Sequence, residues 1–318
     1  MRSAGYDIHL LEVRGLKRSL SPSNFKTLYL AQRAVKEAEG LVRSFAPDIV
    51  IGTGGYACYP ALRAATKAGL PTAVHESNAI PGLAVRRIAR SVGRVWLNFE
   101  AAAAHLPKGT STLVVGNPLP RGYVMPRPYP LPDGHRELVL SFGGSLGARA
   151  LNEAVLDLME EEALHPEIYH LHATGKREYD AVFAEFCKRG LDRIPSLSLV
   201  PYLSDMPRWM AAATLVISRA GAMTLSELAA LGRPAILVPS PNVAANHQYK
   251  NAKALEEAGG AILLEERELP LALRRTVFSL LGDKKRQAEL SRAIKGHCVP
   301  RANERIWRDI QALCRKRK

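Results

Sequence analysis

The sequence predicts an α/β fold of two Rossmann-like domains facing a cleft, and three observations predict it. At 318 residues, 47% of them hydrophobic, the chain has the length and the apolar material for two cores. Short apolar runs of strand character alternate with helical patterns, the order a parallel sheet requires. One unit also occurs twice: a strand, a turn with paired glycines, then a helix. Its first copy is residues 49–51, the loop Gly52-Thr53-Gly54-Gly55-Tyr56 and a helix over 60–68. Its second copy is residues 138–142, the loop Gly143-Gly144-Ser145-Leu146-Gly147 and a helix over 148–159. Glycines let backbone approach a bulky anion and expose its N–H groups to it.

The elements follow in order. Residues 8–13 read as a short strand and 25–45 as a helix, with Leu28, Ala31, Ala34, Val35, Ala38 and Leu41 at helical spacing. After the first glycine unit, residues 71–74 form a strand ending in His75-Glu76-Ser77-Asn78. Four polar residues at a strand end mark either a site or a loop in which Asn78 caps the helix over 82–91. Strands over 92–97 and 113–118 lead to a proline-rich link, Pro118 to Pro132, read as the domain boundary. Arg121 lies just inside it, as a surface arginine or a phosphate ligand. The second glycine unit is followed by strands over 168–173 and 196–200 and helices over 178–189 and 206–212. The remainder after residue 251 is mainly helical and ends in a basic tail.

The stretch from 214 to 251 organises the rest. An apolar strand over 214–218 runs through Arg219-Ala220-Gly221-Ala222 into a helix over 224–231, closed by Gly232 and followed by Pro234. Small residues leading into a helix aim backbone N–H groups and the positive helix end at one spot, which suits phosphate. Glu227 has two readings. Thr224-x-x-Glu227 fits a capping box, and the same carboxylate one turn in could accept the two hydroxyls of a ribose. A further strand over 235–239 ends near Asn246-His247-Gln248, polar groups at the strand end where open α/β sheets bind ligands.

Composition sets bounds. The net charge is +14. Residues 1–130 hold 17 Lys and Arg against 7 Asp and Glu, residues 295–318 hold 8 against 2, and the middle holds 19 against 21. The basic character therefore belongs to the amino half and the tail, and favours an anionic partner there: membrane surface or diphosphate. Nucleic acid is disfavoured, because the basic residues are not interleaved with aromatics, which make up 6% of the chain. Four scattered cysteines without a CxxC pair point to neither a disulfide framework nor zinc, and fit a reducing cytoplasm. No signal peptide or membrane span is legible. A P-loop, a G-x-S-x-G elbow and a GxGxxG dinucleotide fingerprint are all absent. So is a DxD motif, and no tightly bound cofactor is expected; assistance by a divalent cation stays open.

The segments DIVIGTGGY, HESNAIPGLA, VVGNP, GGSLGARALN, SRAGAMTLSELAALGRPAILVP and NHQYKNA, in this order and spacing, resemble the bacterial MurG family of peptidoglycan enzymes. The resemblance runs from about Tyr6 to near the carboxyl end. It implies a GT-B type fold with an acceptor- and membrane-side domain over 1–122, joined by a carboxyl-terminal helix over 299–318, and a UDP-sugar domain over 133–298. It implies inverting transfer of N-acetylglucosamine from UDP-GlcNAc to lipid I, giving lipid II, by a peripheral protein on the cytoplasmic face of the bacterial membrane. It also implies site residues. Ser145 contacts phosphate. Ala222, Met223, Thr224, Leu225 and Ser226 bring the helix start to UDP, and Glu227 holds the ribose. Leu203 offers its backbone to uracil, Gln248 with His247 beside it meets the sugar hydroxyls, and Asn78 reaches the sugar from the first domain. Gly54, Gly55 and Tyr56 would cradle the lipid diphosphate, Arg121 would reach phosphate, and His75 or Glu76 is the candidate base.

Two departures from the family pattern stand out. The run from Asn117 to Arg121 is one residue longer than the family's. The family's leading strand and first glycine-rich loop are not in this sequence, so an incomplete start, with an exposed sheet edge, is expected. The rival readings are a UDP-sugar 2-epimerase and a non-catalytic membrane-associated homologue.

Overall fold

The computed structural model describes residues 5–14, 23–144, 147–243 and 246–315. It divides into two units, Met1–Asn117 with Arg301–Lys318, and Pro118–Pro300.

The first unit opens with α1 (Ser23–Phe45), whose buried Leu30, Ala34, Val35 and Ala38 repeat at helical spacing and form its inner stripe. Leu28, read from the sequence as part of that stripe, is exposed, as is Tyr29 beside it. Then come β1 (Val50–Gly52), α2 (Tyr59–Lys67), β2 (Thr72–Glu76), α3 (Leu83–Ile88), β3 (Arg94–Leu97) and β4 (Thr112–Val114). The four strands are parallel, in the order β1-β2-β3-β4. The inner strand β2 is buried at every residue, whereas β1 is an edge and its Ile51 is 41% exposed. The strand expected over residues 8–13 does not form. Those residues pair with no strand and are largely exposed, so nothing offsets the entropy of extending them.

The second unit holds α4 (Arg121–Val124), β5 (Glu137–Phe142), α5 (Arg149–Glu162), β6 (Ile168–Ala173), α6 (Tyr179–Lys188), β7 (Leu197–Val200), α7 (Met206–Ala212), β8 (Leu215–Ser218), α8 (Ala222–Leu231), β9 (Ala235–Leu237), α9 (His247–Glu257), β10 (Ile262–Leu263), α10 (Leu269–Gly282) and α11 (Lys284–Gly296). Its six parallel strands lie in the order β10-β9-β8-β5-β6-β7. The chain fills one side of β5 with β6 and β7, then returns to fill the other with β8, β9 and β10. The winding reverses between β5 and β8, the position where doubly wound sheets open a crevice at their strand ends. Alternate residues of β5 feed opposite faces: Val139 joins one apolar core, Leu138 and Leu140 the other.

The expected boundary shifts. Residues 118–122, read as part of the first domain, fold with the second unit. Leu119 and Tyr123 are buried in its core, and Gly122 packs against Pro207 of α7. Prolines stiffen this segment, but the apolar area of those two side chains is what docks it.

The last helix, α12 (Ala302–Arg315), belongs to the first unit. Ile306, Ile310 and Leu313 pack with Ala73, Trp96 and Val115. Asp309, on the same stripe, accepts from Trp96 Nε1 at 2.7 Å and from Arg94 Nε at 3.2 Å. Among the described residues no helix is long and apolar enough to cross a membrane.

Candidate functional site

In the second unit the loops leaving β5 and β8 part at the switch point and leave a hollow of about 480 Å³. Gly143, Gly144, Gly147, Arg149, Arg219 and Gln248 are among its lining residues. Gly144 and Gly147 have φ of 91° and 83°, a region closed to most side chains, so this turn needs its glycines. A Cβ on Gly147 would come within 2.5 Å of the Thr174 carbonyl oxygen. Ser145, between them, lies outside the described residues.

Beneath this loop runs a fully buried chain of polar groups. Ser141 Oγ of β5 lies 2.7 Å from both His170 Nε2 and His172 Nδ1 of β6. His170 Nδ1 faces the Glu162 carboxylate, and His172 Nε2 donates to Asn152 Oδ1 at 3.1 Å. Asn152 Nδ2 then donates to the Thr174 oxygen at 3.2 Å, the atom against which Gly147 packs. Burial pushes the His172 pKa down to about 3, with the neighbouring His170 adding to it, so His172 stays a neutral link in the chain. The two histidines alternate along β6 and so share a face, as their spacing of two in a strand dictates.

Arg219, read from the sequence as one residue of a small turn, sets the geometry of the hollow. Its guanidinium donates to the Val238 and Pro239 oxygens, both at 3.2 Å, and pairs with Glu266 at 2.5 Å. Gln248 Oε1 accepts from Ser240 N at 2.9 Å, tying the start of α9 to the loop after β9. His247 is the first residue of α9, whose N-cap, Asn246, has the left-handed φ of 53° that asparagine tolerates.

The capping box expected at Thr224 does not form. The helix starts two residues earlier, at Ala222, with Gly221 as N-cap and no side-chain cap, so Thr224 and Glu227 sit too far in to close one. Glu227 is half-buried and lies near the Tyr123 hydroxyl of α4. Burial raises the Glu227 pKa, and the Tyr123 hydroxyl opposes that rise. The Tyr123 pKa is itself pushed up, by burial first and then by the Glu227 charge. Neither Thr224 nor Glu227 lines the hollow. Glu227 lies five residues beyond Ala222, about 7.5 Å along the helix at the usual rise. Leu203 is buried in the same core as Tyr123, and Arg121 is exposed at the start of α4.

In the first unit the sequence-predicted residues meet at the ends of β1 and β2. Gly54 and Gly55 have φ of 84° and 70°, and a Cβ on Gly54 would lie 3.2 Å from the His75 carbonyl oxygen. Tyr56, next in the loop, is exposed. His75 and Glu76 are buried and committed to internal bonds. His75 Nε2 bonds the Gly116 oxygen at 2.9 Å, its Nδ1 lies 3.3 Å from Ser77 Oγ, and burial lowers its pKa. Glu76 Oε1 accepts from both the backbone N and Nδ2 of Asn78, each at 3.0 Å, and Oε2 accepts from Gly82 N at 2.9 Å. Glu76, not Asn78, therefore secures the approach to α3. His75 Nε2 is thus committed to the Gly116 oxygen and the Glu76 carboxylate to the 76–82 turn.

The chain matches the glycosyltransferase family 28 C-terminal domain over residues 138–306 and the N-terminal domain over 1–96. A relative from Acetivibrio thermocellus is 35% identical, covering 98% of this chain and 85% of that one. One from Exiguobacterium sp. is 40% identical, covering 92% and 81%. Both are named UDP-N-acetylglucosamine--N-acetylmuramyl-(pentapeptide) pyrophosphoryl-undecaprenol N-acetylglucosamine transferase. The crystal structure of Acinetobacter baumannii MurG is similar with a TM-score of 0.76 at 25% identity, covering 98% of this chain and 86% of that one. A Neisseria meningitidis UDP-GlcNAc 2-epimerase shares the fold, with a TM-score of 0.63 at 12% identity over 93% and 84% of the two chains. Paired parallel-sheet units, a glycine-lined hollow at the switch point and relatives alike over nearly the whole length lead to one assignment: the chain belongs to the MurG family, within glycosyltransferase family 28.

Proposed function

We propose that this chain transfers N-acetylglucosamine from UDP-N-acetylglucosamine to the MurNAc hydroxyl of undecaprenyl-diphosphate-MurNAc-pentapeptide, with inversion at the anomeric carbon. The observation that carries the reading is the hollow at the switch point, bordered by the two-glycine turn and by Arg219, three residues before α8 begins. Departing UDP takes up negative charge, and backbone N–H groups with a positive helix end stabilise that charge without a fixed metal. In this reading the phosphates lie at the glycine turn and the start of α8, the ribose hydroxyls at Glu227, and the sugar hydroxyls near Gln248 and His247. Asn78, held by Glu76, is assigned to the sugar, and the Gly54-Gly55-Tyr56 loop to the acceptor diphosphate. The assay is UDP release from UDP-N-acetylglucosamine with a lipid I analogue. Release only in the presence of the acceptor is expected; acceptor-independent conversion of the sugar would indicate the epimerase reading instead.

Glu227→Ala is expected to weaken UDP binding by about 1–3 kcal/mol, the cost of stranding hydroxyls that had a charged partner. Unchanged affinity in calorimetry would rule out the ribose role.

The same reading places the basic first unit against anionic lipid, where its polyprenyl substrate resides. Leu28 and Tyr29 project from α1 at 45% and 65% exposure on a unit rich in Lys and Arg. Vesicle pelleting is expected to show binding to anionic but not neutral lipid, lost in the double variant Leu28→Ser, Tyr29→Ser. Equal pelleting with both lipids sinks the idea.

A further inference from the structure

The polar chain beneath the glycine turn has a direction. Ser141 comes from β5, His170 and His172 from β6, and Asn152 and Glu162 from α5, and every one of these side chains is fully buried. The Thr174 carbonyl can only accept, so Asn152 turns its Nδ2 to it, at 3.2 Å, and its Oδ1 to His172. His172 Nε2 must then carry a proton. The ring is neutral, as its burial requires, and a neutral imidazole has one N–H. Its Nδ1 is therefore an acceptor and takes the Ser141 O–H at 2.7 Å. With that proton given away, Ser141 Oγ accepts from His170 Nε2. The last proton lies between His170 Nδ1 and the Glu162 carboxylate. Each link dictates the orientation of the next, from the carboxyl end of α5 to a single backbone oxygen.

That oxygen is the floor of the turn. Gly147 passes so close to it that a Cβ would come within 2.5 Å, and Gly147 N donates to the Gly144 oxygen at 3.0 Å. The two glycines that border the hollow are thus tied to each other and rest on Thr174.

We infer that Ser141, His172 and Asn152 are positioning residues for the donor phosphates: the directed chain clamps the Thr174 carbonyl, and the carbonyl sets how far the glycine turn reaches into the hollow. This inference rests on the reading that places the phosphates at that turn. None of the three residues lines the hollow, so each acts through the turn. The chain admits one order of donors. Ser141→Ala, three bonds from the Thr174 oxygen, removes the O–H that His172 Nδ1 accepts. The Ser141 backbone oxygen, 3.2 Å from the same nitrogen, remains beside it and can only accept, so the ring proton moves to Nδ1. Nε2 is left bare against Asn152 Oδ1, the amide turns over, and its oxygen meets the Thr174 oxygen. The carbonyl loses its donor although the altered side chain does not touch it.

The test uses the full chain. UDP binding is followed by calorimetry, uridine binding by ligand-observed NMR, and the His172 proton by heteronuclear NMR of the imidazole nitrogens. In the parent, His172 is expected to be protonated on Nε2, and UDP to bind far better than uridine. In Ser141→Ala the proton is expected on Nδ1. UDP affinity is expected to fall about fivefold, the worth of one hydrogen bond, with uridine affinity unchanged. Unchanged uridine binding also shows that the variant is folded. Asn152→Leu, similar in shape, is expected to show the same selective loss. Adding Ser141→Ala to it is expected to cost nothing further, because the chain is already cut at its last link.

Equal losses for UDP and uridine in both variants would overturn the inference and leave the chain a packing device. So would a UDP loss in Ser141→Ala with the proton still on Nε2, or the parent's UDP affinity once the proton has moved. A parent that binds UDP no better than uridine removes the phosphate reading first and this inference with it. A parent that prefers UDP, with variants that keep the full preference, removes the inference alone.

Discussion

Gly147→Ala is expected to destabilise the second unit by about 2–4 kcal/mol and to lower UDP affinity with it, through strain and overpacking together. The residue has a φ of 83°, where a Cβ is disfavoured, and the added methyl would sit 2.5 Å from the Thr174 oxygen and 2.9 Å from Glu178 Cγ. Glu178 can turn aside. The carbonyl cannot, because Thr174 N donates to the Val200 oxygen at 3.0 Å and Asn152 grips the carbonyl from below. The glycine turn must therefore lift, and it lifts into the hollow that we assign to the phosphates. Denaturant titration and calorimetry with UDP check the two halves. A variant with the parent's midpoint and the parent's affinity would mean that the turn is not held by the polar chain beneath it. Gly144→Ala is a useful contrast: its φ is as unfavourable, at 91°, but among the described residues beyond its chain neighbours no atom lies within 4 Å of the added methyl. It is expected to cost about 1–2 kcal/mol, from backbone strain alone.

The second large effect is expected at Asp309→Ala, at about 3 kcal/mol in the first unit. Asp309 is 8% exposed and binds Trp96 Nε1 and Arg94 together. Arg94 retains Ser111 and a route to water, with 23% of its side chain exposed. Trp96 has neither: it is 1% exposed, and its indole N–H would be left buried without an acceptor. The loss should appear as faster amide hydrogen exchange in α12 and β3, since this bond ties α12 to the sheet across more than 200 residues of sequence. Asp309→Asn keeps an acceptor for the indole and should lose about half as much. If exchange in α12 is unaltered in Asp309→Ala, its apolar stripe alone holds the helix.

Much of this molecule was legible beforehand. The two strand–glycine–helix units, the α7 helix and the Gly232 stop of α8 follow from local rules: apolar period, glycine where φ must be positive, proline where a helix must end. Such signals are short-range, so a reader of the chain has all the atoms that matter within a few residues. Where the local signal pointed two ways, only the fold chose. Thr224-x-x-Glu227 has the spacing of a cap, yet α8 begins at Ala222 because Gly221 already occupies the N-cap, and Glu227 is freed to meet Tyr123. His75 and Glu76 read as alternative candidate bases at a strand end, and the fold brings the Gly116 oxygen and the 76–82 turn to them. Residues 8–13 have strand composition but no neighbouring strand to bond.

By itself, then, the sequence determined the α/β class, the paired glycine loops, the family and the asymmetry of charge, each a property of composition or spacing along the chain. The tertiary structure decided which polar side chains are spent inside the protein and which are available to a ligand. That choice depends on partners brought from far away in sequence: Tyr123 to Glu227, Asp309 to Trp96, Ser141 to two histidines of the next strand. A buried polar group must be paired, and only the folded chain settles with whom.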